Sequence, residues 1–211
     1  DDTYAFIKNG NQEYIDSNLV DETFSGTKID VMIFINNAGQ IVFSKMFDQE
    51  LQQSLPLTND FKQYLQPGSL LLTHENTKSM QSGFVLLKKS PMFVVSRPII
   101  TSEKNGPILG SLIMGKYISK AEVENVHHTT KLDLGIIGAD TSYKSLSPVE
   151  QTQLSANKEY IVATSSELIS GYKVINDING NPGLIIKVNL PRSIYQQGRQ
   201  ATFYLVGSLI C

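Results

Sequence analysis

The stretch Gly83–Ser119 constrains the fold more than any other part of the chain. It is dominated by Val, Ile, Leu, Phe and Met with few charges, as buried strands require. It predicts three consecutive β-strands: Gly83–Lys89, Met92–Thr101 and Ile108–Ile118. Ser90-Pro91 divides the first two, since proline cannot donate to a strand ladder, and the turn-forming run Ser102–Pro107 divides the last two. Short connections make neighbouring strands antiparallel, so this is a three-stranded meander that other elements must cover.

Short helices and a β-hairpin are predicted ahead of the meander. Asp1–Gly26 combines polar residues that favour helix N-termini with apolar residues three to four positions apart. Ile29–Asn36 and Ile41–Lys45 are predicted as strands joined by a turn that contains Asn and Gly, and Asp60–Leu65 as a helix. Two strands, a helical connection and three strands are the element order of PAS-like sensor sheets, although many other α+β domains share it.

The residues after the meander repeat its plan. Ser119 is predicted to cap a helix over Lys120–Lys131, and Ser147 a second, short helix. Four further strands are predicted: Leu132–Ile137, Tyr160–Ser165, Ser170–Asp177 and Gly183–Leu190. An Asn-Gly turn followed by proline joins the last two, as it joins the last two strands of the meander. We therefore predict an α+β fold of two tandem PAS-like units, each an antiparallel sheet flanked by helices. A single larger mixed sheet is the alternative.

The predicted domains follow from this plan. They are an N-terminal helical segment at 1–28, a first PAS-like unit at 29–118, a smaller second unit at 119–190, and a C-terminal helix at 191–211. The last nine residues of that helix carry no charge, whereas about 20 are needed to span a bilayer. We interpret them as the start of a transmembrane segment, with a buried C-terminal helix or strand as the alternative. The opening Asp1-Asp2, without methionine or leader, is expected of a piece of a longer protein.

Composition excludes several classes of function. A net charge of -2 and scattered lysines and arginines provide no surface for nucleic acid. The single cysteine, Cys211, leaves the body of the chain without disulfides or thiolate chemistry.

His127-His128 with nearby acidic residues is the one metal-like cluster of the sequence. Its spacing matches no known zinc motif, and solvated helix residues are the simpler interpretation. His74 falls in a polar loop and is predicted to be surface. The sequence contains no nucleophile, dinucleotide or phosphate-loop motif, so it indicates neither an enzyme nor a cofactor.

Arg97 is the candidate centre of a ligand site. Strand alternation places it on one face with Phe93 and Val95, and Ser96 on the other. A guanidinium within an apolar strand needs an anionic partner if it is buried. That partner is either a ligand carboxylate, which Arg binds bidentately, or an internal salt bridge to an aspartate. The aspartates that could form this salt bridge are Asp1, Asp2 and Asp30.

The candidate ligand-binding residues are Arg97, Ser96, Tyr117, Lys116, Phe84 and Met114. Phe84 and Met114 fit a core role as well.

Several segments together resemble a known family. These are DDTYAFIKNGNQEYIDSNL, IDVMIFINNAGQIVFSKMFD, SRPIITSEKNGPILGSLIMGKYI and NGNPGLIIKVNLPRSIYQQG. They are similar to the CHASE domain of the fourth type, an extracytoplasmic sensor domain of prokaryotic, especially archaeal, histidine kinases and cyclic-dinucleotide enzymes. Related folds form the double Cache group.

The resemblance implies a ligand-sensing module of a cell-membrane receptor, held between two transmembrane helices. The resemblance does not identify the ligand; a small, anionic metabolite bound in the first unit is the hypothesis that Arg97 suggests. A second copy of the chain is the expected partner in the full-length receptor. The C-terminal helix would pass the signal across the membrane. The alternatives are a structural or dimerisation domain without a ligand, and a domain that binds a partner protein.

Overall fold

The structure, a computed structural model, describes residues 2–138, 159–163 and 167–192. The chain divides into two compact units. The first unit comprises Asp1–Ile118 together with Asn176–Asn181, and the second comprises Ser119–Ile175 and Pro182–Cys211. Each unit has one sheet among the described residues, so the described strands do not form the single larger sheet that was the alternative.

The helices of the first unit are short, and one of them is capped by a polar side chain. They are α1 (Asp2–Asn9), α2 (Gln12–Asn18), α3 (Asp21–Thr27) and α4 (Asn59–Lys62). The side-chain oxygen of Asn11 accepts from the backbone N–H of Glu13 at 2.9 Å, which satisfies one of the free donors at the start of α2. Two 3₁₀ turns, Gln63–Leu65 and Leu70–Leu72, follow α4.

The sheet of the first unit has six strands. They are β1 (Val31–Asn36), β2 (Ile41–Asp48), β3 (Gln53–Leu55), β4 (Gln81–Leu86), β5 (Pro91–Pro98) and β6 (Gly110–Tyr117). Their order is β3-β2-β1-β6-β5-β4, and all the neighbouring pairs are antiparallel. The meander β4–β6 and the hairpin β1–β2 are confirmed. Pro91 begins β5 rather than only preceding it, a position where the missing N–H is tolerated. The exposed edge strand β3 was not predicted, because its three residues alternate too little to show a strand pattern.

The central strand β1 is buried on both faces, which explains its unbroken apolar sequence. One face, here called the inner face, presents Val31, Ile33 and Ile35 to the connection between β3 and β4. The opposite face, here called the helical face, presents Met32 and Phe34 to helices α1–α3.

Helices α1 and α2 are held on the helical face by aromatic contacts. The ring of Phe6 stacks on Tyr14 at 4.5 Å between centroids and meets Phe34 edge-on at 5.2 Å. Phe6 and Phe34 are each 1% exposed, and full burial of such a side chain contributes about 1.5–3 kcal/mol. The N-terminal helical segment therefore belongs to the core of the first unit.

The second unit contains helix α5 and a four-stranded sheet. Its elements are α5 (Lys120–Thr130), β7 (Asp133–Gly138), β8 (Glu159–Ala163), β9 (Leu168–Asn176) and β10 (Pro182–Pro191). The strand order is β7-β10-β9-β8. The hydroxyl of Ser119 accepts from the N–H of Glu122 at 3.2 Å, as the predicted cap requires. The predicted helix capped by Ser147 lies outside the described residues. Pro191, where the C-terminal helix was expected to begin, is instead the last residue of β10, and the rest of that predicted helix, from residue 193 onward, lies outside the described residues. Within the described residues, no helix has the length and apolarity needed to cross a membrane.

Candidate functional site

A cavity of about 470 Å³ lies on the inner face of the first sheet. This volume is within the range of small-molecule sites, about 300–1,000 Å³. Its described lining comes from the β1–β2 turn, the start of β6 and the connection that covers the sheet. The lining residues are Ile35, Asn36, Asn37, Ala38, Gly39, Leu65, Pro67, Gly68, Leu72, Thr73, His74, Ile108, Gly110 and Ser111.

The sheet side of the cavity is set by the register of β1 and β6. Ile35 and Ser111 are directly opposite each other, so both side chains lie on the inner face. Gly110, the residue before Ser111, has a φ of +155°, and a Cβ there would overlap the carbonyl oxygen of Ile35. Glycine at this position therefore allows β6 to pair with the end of β1 beside the cavity.

The cover of the cavity is anchored by hydrogen bonds from Ser69. Its hydroxyl donates to the carbonyl of Tyr64 at 2.5 Å and accepts from the N–H of Leu71 at 3.2 Å. The phenol oxygen of Tyr64 in turn accepts from the N–H of Leu86 in β4 at 3.0 Å. These bonds tie the 3₁₀ turn Leu70–Leu72 to the sheet, so the cover has a defined position over the inner face.

His74 lies in the wall of the cavity and is bonded to Ser96. The hydroxyl of Ser96, which is 0% exposed, donates to the carbonyl of Leu71 at 2.6 Å and lies 3.2 Å from Nε2 of His74. Since the hydroxyl hydrogen is already used, Nε2 must carry the proton that bonds Ser96, and Nδ1 is left as an acceptor. Nδ1 is closed to solvent and has no hydrogen-bond partner among the described residues. Burial lowers the pKa of His74, which keeps the imidazole neutral at pH 7.

The prediction that His74 is a surface residue was wrong. The polar composition of the surrounding loop suggested exposure, but the loop folds back over the inner face and half-buries the ring. Sequence offered one weak indication, the Leu70–Leu72 triplet inside the polar stretch, which marks a segment with an apolar side to bury.

The six predicted ligand residues do not converge on one site. The predicted alternation of β5 is confirmed, with Met92, Val94 and Ser96 buried and Arg97 exposed. Ser96 and Tyr117 lie on the inner face, whereas the other four candidates lie on the helical face. Of the six, Ser96 alone is bonded to a residue that lines the cavity.

Arg97 is not buried, so its guanidinium does not need the anionic partner that burial would require. The side chain is exposed on the helical face, where Nη1 donates to the carbonyl oxygen of Lys78 at 3.4 Å. An exposed guanidinium is solvated and needs no anionic partner. The expected salt bridge is absent within the described residues: Asp30 accepts from the N–H of Tyr117 instead, and Asp1 lies outside the described residues.

Tyr117 lies at the far end of β6 from the cavity. It is six positions along the strand from Ser111, which corresponds to about 20 Å. Burial, reinforced by the carboxylates of Asp60, Asp30 and Asp48, raises the pKa of Tyr117 to about 12. The ammonium of Lys89 lies 5.3 Å from the centre of its ring. Tyr117 is thus part of a structural polar cluster at that end.

The remaining three candidates lie on the helical face. Met114 packs against the apolar cluster under the N-terminal helices. Phe84 meets Phe93 edge-on at 5.4 Å, and Lys116 is opposite Phe93 in the strand register. None of the three lines the cavity on the inner face.

The histidine pair of α5 forms local contacts. His127 Nδ1 lies 2.6 Å from the carbonyl oxygen of Leu132, and exposed His128 pairs with Glu124 at 3.3 Å. The described part of the chain contains no group of three or more His, Cys, Asp and Glu residues placed to hold a metal ion.

Comparison with protein families assigns the chain to a family. The model of the CHASE4 domain matches residues 1–136, well over half of the sequence. The chain belongs to the CHASE4 family. This CHASE4 domain is also 27% identical, over 99% of its length, to the methanogenesis regulatory histidine kinase FilI of Methanothrix harundinacea strain 6Ac. It spans about a quarter (24%) of the length of that relative.

Two solved structures share the fold. The extracellular domain of vpHK1S-Z8, assigned as a histidine kinase, matches 92% of this chain and 83% of its own, with a TM-score of 0.53 and 12% identity. A domain of a protein assigned to the sensory box/GGDEF family, from Vibrio parahaemolyticus, matches 92% and 84%, with a TM-score of 0.52 and 13% identity. At these identities the likeness shows the fold alone, a mixed α+β architecture with antiparallel sheets.

Proposed function

We propose that this CHASE4 domain is the extracytoplasmic ligand-sensing part of a membrane-bound receptor, such as a histidine kinase, and that a small molecule binds in its first unit. The observation that carries the proposal is the cavity on the inner face, which has the volume of a small-molecule site and a cover anchored to the sheet. Family membership and the FilI relative support a role in signalling.

The ligand expected from Arg97 was a small anion. We now place the ligand in the cavity, beside Ser96 and His74, and away from Arg97 on the opposite face. The neutral imidazole of His74 and the buried hydroxyl of Ser111 replace the guanidinium as recognising groups. Arg97→Ala is therefore expected to leave binding unchanged.

The binding proposal is tested by one substitution made at two positions. Ser111→Leu adds about two side-chain heavy atoms in the cavity, whereas Ser82→Leu makes the same change on the exposed side of β4. Native mass spectrometry of the purified chain and thermal-shift screening of a metabolite panel should both find a bound molecule in the Ser82→Leu variant and none in the Ser111→Leu variant. A molecule that binds both variants equally would contradict the proposed site.

Transmission is the second part of the proposal. Ligand binding is proposed to bias two packings of a receptor homodimer through residues 191–211, with a transmembrane segment following the sensor. Single cysteines placed along residues 193–200 of the full-length receptor, in a background that carries Cys211→Ser, would report these packings. Crosslinking patterns that are identical with and without the bound molecule argue against transmission through this segment.

A domain without a ligand, used for spacing or dimerisation, is the second candidate. It predicts that purified protein retains no molecule and that Ser111→Leu, by filling an empty space, is neutral or stabilising. The retained-ligand experiment above separates the two functions directly.

A further inference from the structure

We propose that the cavity selects an uncharged molecule with an apolar body and hydrogen-bonding groups, and that it discriminates against carboxylates and ammonium ions of the same shape. This inference rests on the proposed function, since it concerns the ligand of the same cavity. It follows from the residues that form the wall.

None of the described residues that line the cavity carries a full charge at neutral pH. The lining contains neither Asp, Glu, Lys nor Arg, and its one titratable side chain is His74. A second proton on His74 would have to reside on Nδ1, which has no acceptor among the described residues. The wall therefore offers no counter-charge to either an anion or a cation.

An ionised ligand would lose hydration in this cavity without gaining an ion pair. Burying an unpaired carboxylate or ammonium costs far more than burying a neutral amide or hydroxyl, because the charge has lost its water and gained no opposite charge. The cost for a neutral polar group is recovered when it forms hydrogen bonds. Charge is thus the property that the wall distinguishes most strongly.

The polar groups that remain suit amides and alcohols. Ser111, Thr73 and the carboxamides of Asn36 and Asn37 line the cavity with both donors and acceptors. Asn37 Nδ2 also donates to the carbonyl of Ile108 at 2.5 Å, so this side chain is held in place. An N–H or O–H group of a ligand that displaces the imidazole slightly would satisfy Nδ1 of His74.

The apolar part of the wall sets the body of the ligand. Ile35 is 1% exposed and forms the sheet side, and Leu65, at 9% exposed, forms the cover side. Leu72, Pro67 and Ile108 extend this surface. A short alkyl chain or a ring would bury apolar area against them at about 25 cal/mol per Å².

The test uses molecules that share a skeleton and differ in charge. Hexanamide, hexanoate and hexylamine form one series, and benzamide, benzoate and benzylamine form another. Saturation-transfer NMR and calorimetry at about pH 7.5 compare the members on the unmodified chain, on Ser111→Leu and on Ser82→Leu. We expect the amide of at least one series to bind about ten-fold or more tightly than its two ions, with binding lost in Ser111→Leu and retained in Ser82→Leu.

A gain-of-function variant tests the physical cause. Thr73 lines the cavity from an exposed position, so Thr73→Lys introduces a cation without burying it in the core. We expect this variant to bind the carboxylate of the same series about ten-fold more tightly than the unmodified chain does. An unchanged carboxylate affinity overturns the claim that the missing charge sets the selectivity.

The outcomes separate this inference from the proposed function. A carboxylate or amine that binds as tightly as its amide, in a manner lost in Ser111→Leu, overturns the ligand class and leaves the cavity as the binding site. The absence of binding by either amide at millimolar concentration also overturns the class. Binding that persists in Ser111→Leu shows instead that the proposed site is wrong.

Discussion

His74 and Ser96 show how one buried hydrogen-bond chain fixes the cover of the cavity. Ser96 in β5 donates to the carbonyl of Leu71 and accepts from Nε2 of His74, so a single hydroxyl holds two points of the cover. The price of this arrangement is the unsatisfied Nδ1, because a buried acceptor without a donor costs about 1–3 kcal/mol.

The first prediction concerns the pH dependence of the stability contributed by His74. Burial lowers the pKa of His74 from its usual 6.5, so between its folded pKa and 6.5 the unfolded chain binds more protons than the folded chain. The free energy of unfolding should therefore rise with pH across this window and lose this dependence above it. Urea denaturation at steps between about pH 5 and 8 measures the effect as the difference between the unmodified chain and His74→Gln. Taking the difference cancels the contribution of other groups.

The exposed His128 provides the matched control. His128→Gln leaves His74 in place, so this variant should keep the acid-side loss of stability shown by the unmodified chain. If His74→Gln and the unmodified chain follow the same pH dependence, His74 does not have the buried, neutral role described above.

The second prediction concerns the stability contributed by the Ser96 hydroxyl. Ser96→Ala leaves the carbonyl of Leu71 and Nε2 of His74 without their partner in a buried site, at a cost of about 1–3 kcal/mol. Ser82→Ala, on the exposed side of β4, should change the free energy of unfolding by less than about 0.5 kcal/mol. Equal stabilities for the two variants in urea denaturation would show that the Ser96 hydroxyl does not stabilise the cover of the cavity.

At the scale of the element, β6 is the strand that unites the sheet. It pairs with β1 on one side and with β5 on the other, and it contributes Ser111 to the cavity at its start. Its close packing depends on Gly115, where a Cβ would lie 2.7 Å from Sδ of Met92 and 2.8 Å from Cγ1 of Val31. Both distances are shorter than a van der Waals contact, so a Cβ at this position would displace its neighbours.

Gly115→Ala is therefore expected to destabilise the first unit by about 1–3 kcal/mol through overpacking. Gly26→Ala is the control in the same unit, since nothing lies within 4 Å of a Cβ there and alanine favours the helix α3 by about 0.5–1 kcal/mol. Urea denaturation should move the midpoint in opposite directions for the two variants. A Gly115→Ala variant as stable as the unmodified chain would mean that β6 is more loosely packed than described.

At the scale of the whole molecule, periodicity predicted the architecture but not the site. The meander, the hairpin and the cap at Ser119 follow from local rules, since alternation and turn residues depend on neighbours in sequence. The polar loop that covers the inner face follows from no such rule. Its position depends on hydrogen bonds that join Tyr64 and Leu71 of the cover to Leu86 in β4 and Ser96 in β5, which are distant in sequence.

The error at Arg97 has the same origin. Alternation correctly separated the faces of β5, but it could not show which face the cover would close and which would stay open at that point. A lone cation among apolar residues was as compatible with an exposed strand face as with a ligand site. The site instead uses uncharged groups, whose individual sequence patterns are not distinctive.

Hydrogen–deuterium exchange of the chain with and without a bound molecule directly tests whether a small molecule binds in the cavity on the inner face. The probe is the amide that binds most tightly in the charge series, with Ser111→Leu as the control that should show no change. We expect slower exchange at residues 36–39 and 65–74, which form the turn and the cover of the cavity. Slower exchange elsewhere with both of these segments unchanged would contradict binding in this cavity.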